Sequence, residues 1–114
     1  MPFIETKTSK QISLEAEAEI RKKLGCAIEI FSGKSEQWLM LDFQGGARIS
    51  FRGETEPESA IISVHLLGKA KNEEYGKFTS AVTQIVGEAL GIPGERIYVK
   101  YTEYAHWGYN GQNF

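Results

Sequence analysis

The chain has 114 residues, a net charge of −2, 41% apolar and 25% charged residues, a balance suited to one compact domain over residues 1–114 with a core of its own. Lys and Arg form no basic block or stripe, so nothing points to nucleic acid. No run reaches the length of a membrane span, and one cysteine, Cys26, leaves no internal disulfide.

Residues Phe3 to Thr8 read as a short β-branched strand. A helical stretch follows, about Ser13 to Phe31, with an apolar stripe of Ala16, Ile20, Leu24, Ala27, Ile28 and Phe31. Gly33 is its stop signal. Trp38 to Phe43 reads as a second strand. Gly45-Gly46 signals a turn, and Ala47 to Phe51 reads as a third strand folding back as a hairpin. The near-continuous apolar run Ala60 to Leu67 suggests a strand buried on both faces. A second helix is expected from the N-cap Asn72, with the stripe Tyr75, Phe78, Val82, Ile85, Val86 and Ala89 and stops at Gly91 and Pro93. Arg96 to Thr102 is the last strand, and an aromatic, Gly-rich tail follows.

Phe3 and Ile61 stand 58 residues apart, and so do Gly33 and Gly91. This spacing reads as a duplicated strand–helix–strand unit. Parallel strands with right-handed crossovers would give a four-stranded sheet with both helices on one face. The other face of so apolar a sheet then calls for a partner, such as a second copy of the chain.

Candidate chemistry is sparse. Two histidines and one cysteine make no metal pattern, and no cofactor is expected. His65 reads as a hydrogen-bonded core histidine, His106 as a lone tail residue, and Cys26 as a small buried side chain. Gly45-Gly46 precedes a strand-like segment and makes no phosphate loop. Glu54, Glu56 and Glu58 read as a solvated loop. The group with the most useful chemistry is the amino terminus. An α-amine titrates near 8, and burial or a nearby cation lowers that value, so it can be neutral and basic at pH 7. Cleavage after Met1 would leave Pro2 as a terminal secondary amine. A Met-Pro start alone is ordinary.

Five segments change its weight: Met1-Pro2-Phe3-Ile4, Gly33-Lys34, Ser63 to Lys69, Arg96 to Tyr101 and Gly108 to Phe114. In this order and spacing, over essentially the whole chain, the sequence resembles macrophage migration inhibitory factor and its bacterial and protist relatives in the tautomerase superfamily. The resemblance implies an α+β fold, a β-α-β-β-α-β subunit with a four-stranded mixed sheet, in a homotrimer with active sites at the interfaces. It implies a keto–enol tautomerase, an isomerase of the phenylpyruvate or dopachrome type, acting on a small keto or enol acid. By position, Pro2 matches the catalytic amine and Lys34 the lysine that binds the substrate carboxylate or carbonyl oxygen. Leu67 matches a backbone N–H donor, and Tyr98 a tyrosine from the neighbouring subunit. Phe3, Trp38, Trp107, Tyr109 and Phe114 match the pocket walls.

Three positions depart from the family pattern. Ser59 and Ile62 stand where the mammalian cytokine has a Cys-x-x-Cys pair, so thiol–disulfide chemistry is not implied. Lys100 stands where asparagine is usual, and reads equally as a second substrate cation or a solvated strand lysine. Tyr109 replaces a tryptophan, with Trp107 two residues earlier. A cytokine-like secreted protein that binds a receptor is the alternative function. The expected compartment is the cytoplasm, with export lacking a signal peptide left open.

Overall fold

The computed structural model describes residues 1–114. Strand β1 (Pro2–Thr8) leads to helix α1 (Leu14–Ala27), β2 (Met40–Gln44), β3 (Ala60–Leu67), helix α2 (Asn72–Leu90) and β4 (Ile97–Tyr104). A small hairpin of β5 (Gly108–Tyr109) and β6 (Gln112–Asn113) closes the chain. The main sheet runs β2-β1-β3-β4. Its outer pairs, β1 with β2 and β3 with β4, are parallel, and the central pair is antiparallel. Each half is therefore a strand–helix–strand unit, as the 58-residue spacing indicates.

The core lies between the sheet and the two helices. Ile20, Leu24 and Ile28 from the first helical segment meet Phe78, Val82 and Val86 of α2 over Ile4, Ile62, Val64 and Leu66. Full burial of each such side chain stabilises the fold by roughly 1.5–3 kcal/mol. Ser13 caps α1, its hydroxyl accepting the Ala16 N–H at 3.0 Å. The helical stretch is shorter than its stripe: α1 ends at Ala27, and Ile28–Ile30 tighten into a 3-10 turn. At α2 the cap is Lys71 rather than Asn72, because the Glu74 carboxylate accepts the Lys71 N–H at 3.2 Å.

Several expectations are corrected. Ala47 to Phe51 forms no hairpin with the second strand. The Gly46 and Ala47 N–H groups donate to the carbonyls of Lys10 and Thr8, at 3.1 and 2.9 Å. These bonds carry the chain across the end of β1 instead of back along β2. Only a local Phe51–Glu54 bridge remains. Strand β3 is fully buried on its helix-facing side alone; Ile61, Ser63, His65 and Leu67 are half-buried on the open face. Cys26 is exposed, since Leu24 and Ile28 turn inward and the residue midway between them must turn out. His65 is hydrogen-bonded, but on the open face rather than in the core. No helix is long and apolar enough to cross a membrane.

Candidate active site

Three elements converge at the start of β1. Pro2 is buried and paired with Leu66 of β3, and Phe3 lies between Met40 of β2 and His65 of β3. Beside them Gly33 adopts a left-handed backbone, φ 80°, which glycine takes without a Cβ penalty. The chain reverses there, the Lys34 N–H donating to the Phe31 carbonyl at 3.0 Å. The Lys34 ammonium then donates to the Leu67 carbonyl at 2.9 Å. An ammonium has three donors, so two remain for other partners.

Met1 occupies the mouth of this arrangement. Its carbonyl accepts the Leu67 N–H at 3.2 Å. Its amine is pushed down from 8.0 to about 6, first by burial and then by the charge and hydrogen bond of Lys34. Burial and a like charge both penalise the ammonium form. With Met1 attached, the Pro2 nitrogen is an amide and carries no basicity.

A hollow of about 430 Å³ opens from this point, lined by Met1, Pro2, Phe3, Trp38, Met40, Trp107 and Tyr109 among others. Trp38 and Tyr109 meet edge-to-face with ring centroids 5.1 Å apart. Phe114 lies outside the hollow but stacks on Tyr109 at 6.1 Å. The tail is held over the site by a tight turn at Asn110 and Gly111, both at positive φ, and by a 2.9 Å bond from the Phe114 N–H to the Trp107 carbonyl. Asn-Gly is the two-residue hairpin signal, and it stands in the sequence. Gln37, Leu39 and Met40 also line the hollow. Met40 could have been found from strand alternation, since it faces the same side as its partner Phe3.

The structure does not bring all candidates together. Tyr98 pairs with Ile61, whereas Pro2 pairs with Leu66. The two are thus roughly 16 Å apart along the sheet, at about 3.3 Å per residue. Lys100 pairs with Ser63 on the exposed edge strand and is likewise outside the hollow. Within one subunit, neither Tyr98 nor Lys100 lines the Pro2 site.

A second set of polar groups lies behind Phe3. His65 Nε2 is 2.7 Å from a Glu5 carboxylate oxygen, and Nδ1 is 2.7 Å from the Tyr104 hydroxyl. Its ring stacks on Phe3 at 5.4 Å. An ionised carboxylate only accepts, so a neutral His65 donates from Nε2 and accepts from Tyr104. His106 lines another, smaller hollow together with Phe3, Glu5, His65 and Tyr104. No group of three or more His, Cys, Asp or Glu side chains is placed to hold a metal ion.

Comparison with known proteins gives a consistent picture. The family model described as macrophage migration inhibitory factor matches residues 1–114. The crystal structure of Leishmania major MIF2 is 32% identical, covers 100% of this chain and 97% of its own, and superposes with a TM-score of 0.93. A macrophage migration inhibitory factor homologue from Prochlorococcus marinus is 26% identical, covers 98% of each chain, and has a TM-score of 0.82. Among curated sequences, a macrophage migration inhibitory factor homologue of Trichuris trichiura is 29% identical over 86 residues, 72% of this chain and 73% of its own.

Proposed function

This chain belongs to the macrophage migration inhibitory factor family, within the tautomerase superfamily, and we propose that it is a keto–enol tautomerase for phenylpyruvate-like acids, with Pro2 as general base once Met1 is removed. The observation that carries the reading is the α-amine beside Lys34, pushed down to about 6. Pro2 is one residue further in, and buried. Its freed secondary amine would meet the same two influences, burial and the Lys34 charge. A base neutral near pH 7 is what proton abstraction next to a carbonyl requires.

In the keto-to-enol direction the Pro2 nitrogen takes a proton from the carbon beside the carbonyl. The electron pair moves onto the carbonyl oxygen, which takes a proton from water to complete the enol as the Pro2 ammonium gives its own back to solvent. Lys34 and the Leu67 N–H meet that developing charge; preorganised donors of this kind are the larger share of such catalysis. The Leu67 N–H is a free donor only after the Met1 carbonyl leaves it. In the reverse direction the protonated amine returns the proton to carbon. Phe3, Trp38, Trp107 and Tyr109 wall the hollow and suit an aryl group.

The reading includes a homotrimer. It is supported by the open sheet face, where Met40 is 66% and Tyr98 59% exposed, and by residues 47–50, which have no strand partner. In a ring, Tyr98 and Lys100 of one subunit would reach the Pro2 hollow of the next. Phe114 would close its rim.

The test follows ketonisation of the phenylpyruvate or hydroxyphenylpyruvate enol by ultraviolet absorbance, on protein whose intact mass shows Met1 removed. Turnover is expected from that form, and a deep loss in Pro2→Gly and in protein retaining Met1. Undiminished rates in either would sink the assignment of Pro2.

A further inference from the structure

The turn that carries Lys34 is poorly held by packing. A Cβ built on Gly33 would meet nothing within 4 Å, and Ser32 and Gly33 are exposed. Upstream, buried Phe31 anchors the chain. Downstream, Lys34 must present its ammonium to a carbonyl and an amine at fixed distances. Between the two, the polar side-chain tie to another element is the one from Ser32 to α2.

Glu74 makes that tie. One of its carboxylate oxygens accepts both the Ser32 hydroxyl, at 2.6 Å, and the Ser32 N–H, at 3.2 Å. The other oxygen accepts the Lys71 N–H at 3.2 Å, capping α2. Both oxygens are thus used as acceptors, which suits an ionised carboxylate, a group with no donor of its own. The Ser32 hydrogen bond is the main influence holding the carboxyl below its ordinary range; the charged neighbour on its own turn is Lys71. Charge-assisted bonds of this kind are the stronger ones. One side chain therefore fixes the start of α2 and the residue two before Lys34.

We propose that Glu74, through Ser32, is a positioning residue for Lys34: it holds the Ser32-Gly33-Lys34 turn so that the ammonium stays over the Leu67 carbonyl and beside the amino-terminal nitrogen. Glu74 does not touch the substrate. The inference rests on the reading of Lys34 as the active-site cation.

Ser32→Ala is the cleanest variant, since it removes the shortest bond and leaves the α2 cap in place. Glu74→Ala removes the whole tie. We expect kcat/KM to fall about threefold in Ser32→Ala and about tenfold in Glu74→Ala, a modest loss because the tie is charge-assisted but stands at the surface. The acid limb of the pH profile should move upward in both, because a wandering Lys34 lowers the amine pKa less. In a Lys34→Ala background both effects should vanish. The amine is also titrated directly, by the pH dependence of its covalent labelling read by mass spectrometry. That readout needs no turnover, so it separates failure of this inference from failure of the tautomerase reading. An amine titration unmoved in Glu74→Ala, or an effect that persists at full size without Lys34, would overturn the proposal.

Discussion

Residues 2–44 and 60–104 share one topology, and positions 58 apart occupy equivalent places in it. The Pro2 hollow has a counterpart in the second half. Pro2, Phe3, Trp38 and Met40 line the first; Ala60, Ile61, Arg96 and Tyr98 line the second. Trp107, Gly108 and Tyr109 roof the first, and Ile49, Ser50 and Phe51 roof the second. The volumes differ, about 430 against 170 Å³. The small one is stopped by Arg96, whose guanidinium lies 5.1 Å from the Phe51 ring centroid and donates to the Phe51 and Glu54 carbonyls at 3.1 and 3.2 Å. Lys34 has Ile92 as its counterpart, 3% exposed, and Ser32 has Leu90, also 3% exposed. One backbone plan therefore supports an open hollow beside a cation where the turn after the helix carries polar side chains. Where that turn carries apolar ones, it supports only core.

Equivalent substitutions in the two halves should break in opposite ways. Lys34→Ala should cost about 10²–10³ in kcat/KM, as for loss of one charge-stabilising donor, with unfolding free energy changed by less than about 0.5 kcal/mol. Ile92→Ala should do the reverse, costing roughly 2–5 kcal/mol in urea denaturation while the folded fraction keeps its activity. If Lys34→Ala unfolds the protein, the division between reactive and core halves is wrong. The next pair is Trp38→Ala and Arg96→Ala. The first should raise KM about tenfold, equivalent to roughly 1.4 kcal/mol of lost aryl contact. The second should cost about 1.5–3 kcal/mol of stability, as for lost hydrogen bonds to a charged group, while the Phe51 and Glu54 carbonyls keep the bonds of their own bridge.

Smaller effects sharpen the contrast. Gly33 and Gly91 both have positive φ, 80° and 68°. Alanine at either should cost about 1 kcal/mol by thermal melting, but only Gly33→Ala should also lower activity, by shifting Lys34. The last contrast is in pH. In the chain bearing Met1, the amine titrates near 6 when folded and near its ordinary 8.0 when unfolded. Between these values the unfolded state binds more protons, so stability rises with pH from 6 to 8 and flattens outside that window. Urea midpoints of the Met1-bearing form should follow this trend, and the trend should weaken in Lys34→Ala. A flat profile across the window would mean that the terminus is neither buried nor held against Lys34.

The parts legible in the sequence were those with a local signature. Apolar spacing placed both helices and the strands around Ile4 and Ile62, and the two glycines marked equivalent turns. The site was legible mainly as a resemblance. Pro2, Lys34, Phe3, Trp38, Trp107 and Tyr109 do converge on the start of β1. Ala47 to Phe51 misled because β-branched and aromatic content says that a segment is extended, and not which edge will pair with it. Cys26 misled because burial was read from residue type and not from its place on the helix.

Other features had no local signature. Glu74 looked like an ordinary first-turn acid. Its bond to Ser32 spans 42 residues and exists only because α1 and α2 pack side by side. The Glu5–His65–Tyr104 chain joins three strands, and no spacing along one segment encodes it. The sequence by itself determined the two-fold repeat, the two helices, the stripes that make the core, and the residue types at the amino terminus. These depend on neighbours within a turn or a strand, where backbone geometry sets who meets whom. Only the tertiary structure decided that Met1 sits on the Leu67 N–H, that Lys34 reaches back to its carbonyl, and that the second hollow is filled while the first stays open. Those outcomes depend on distances between segments 30 to 70 residues apart in sequence, which the packing of two helices on one sheet sets all at once.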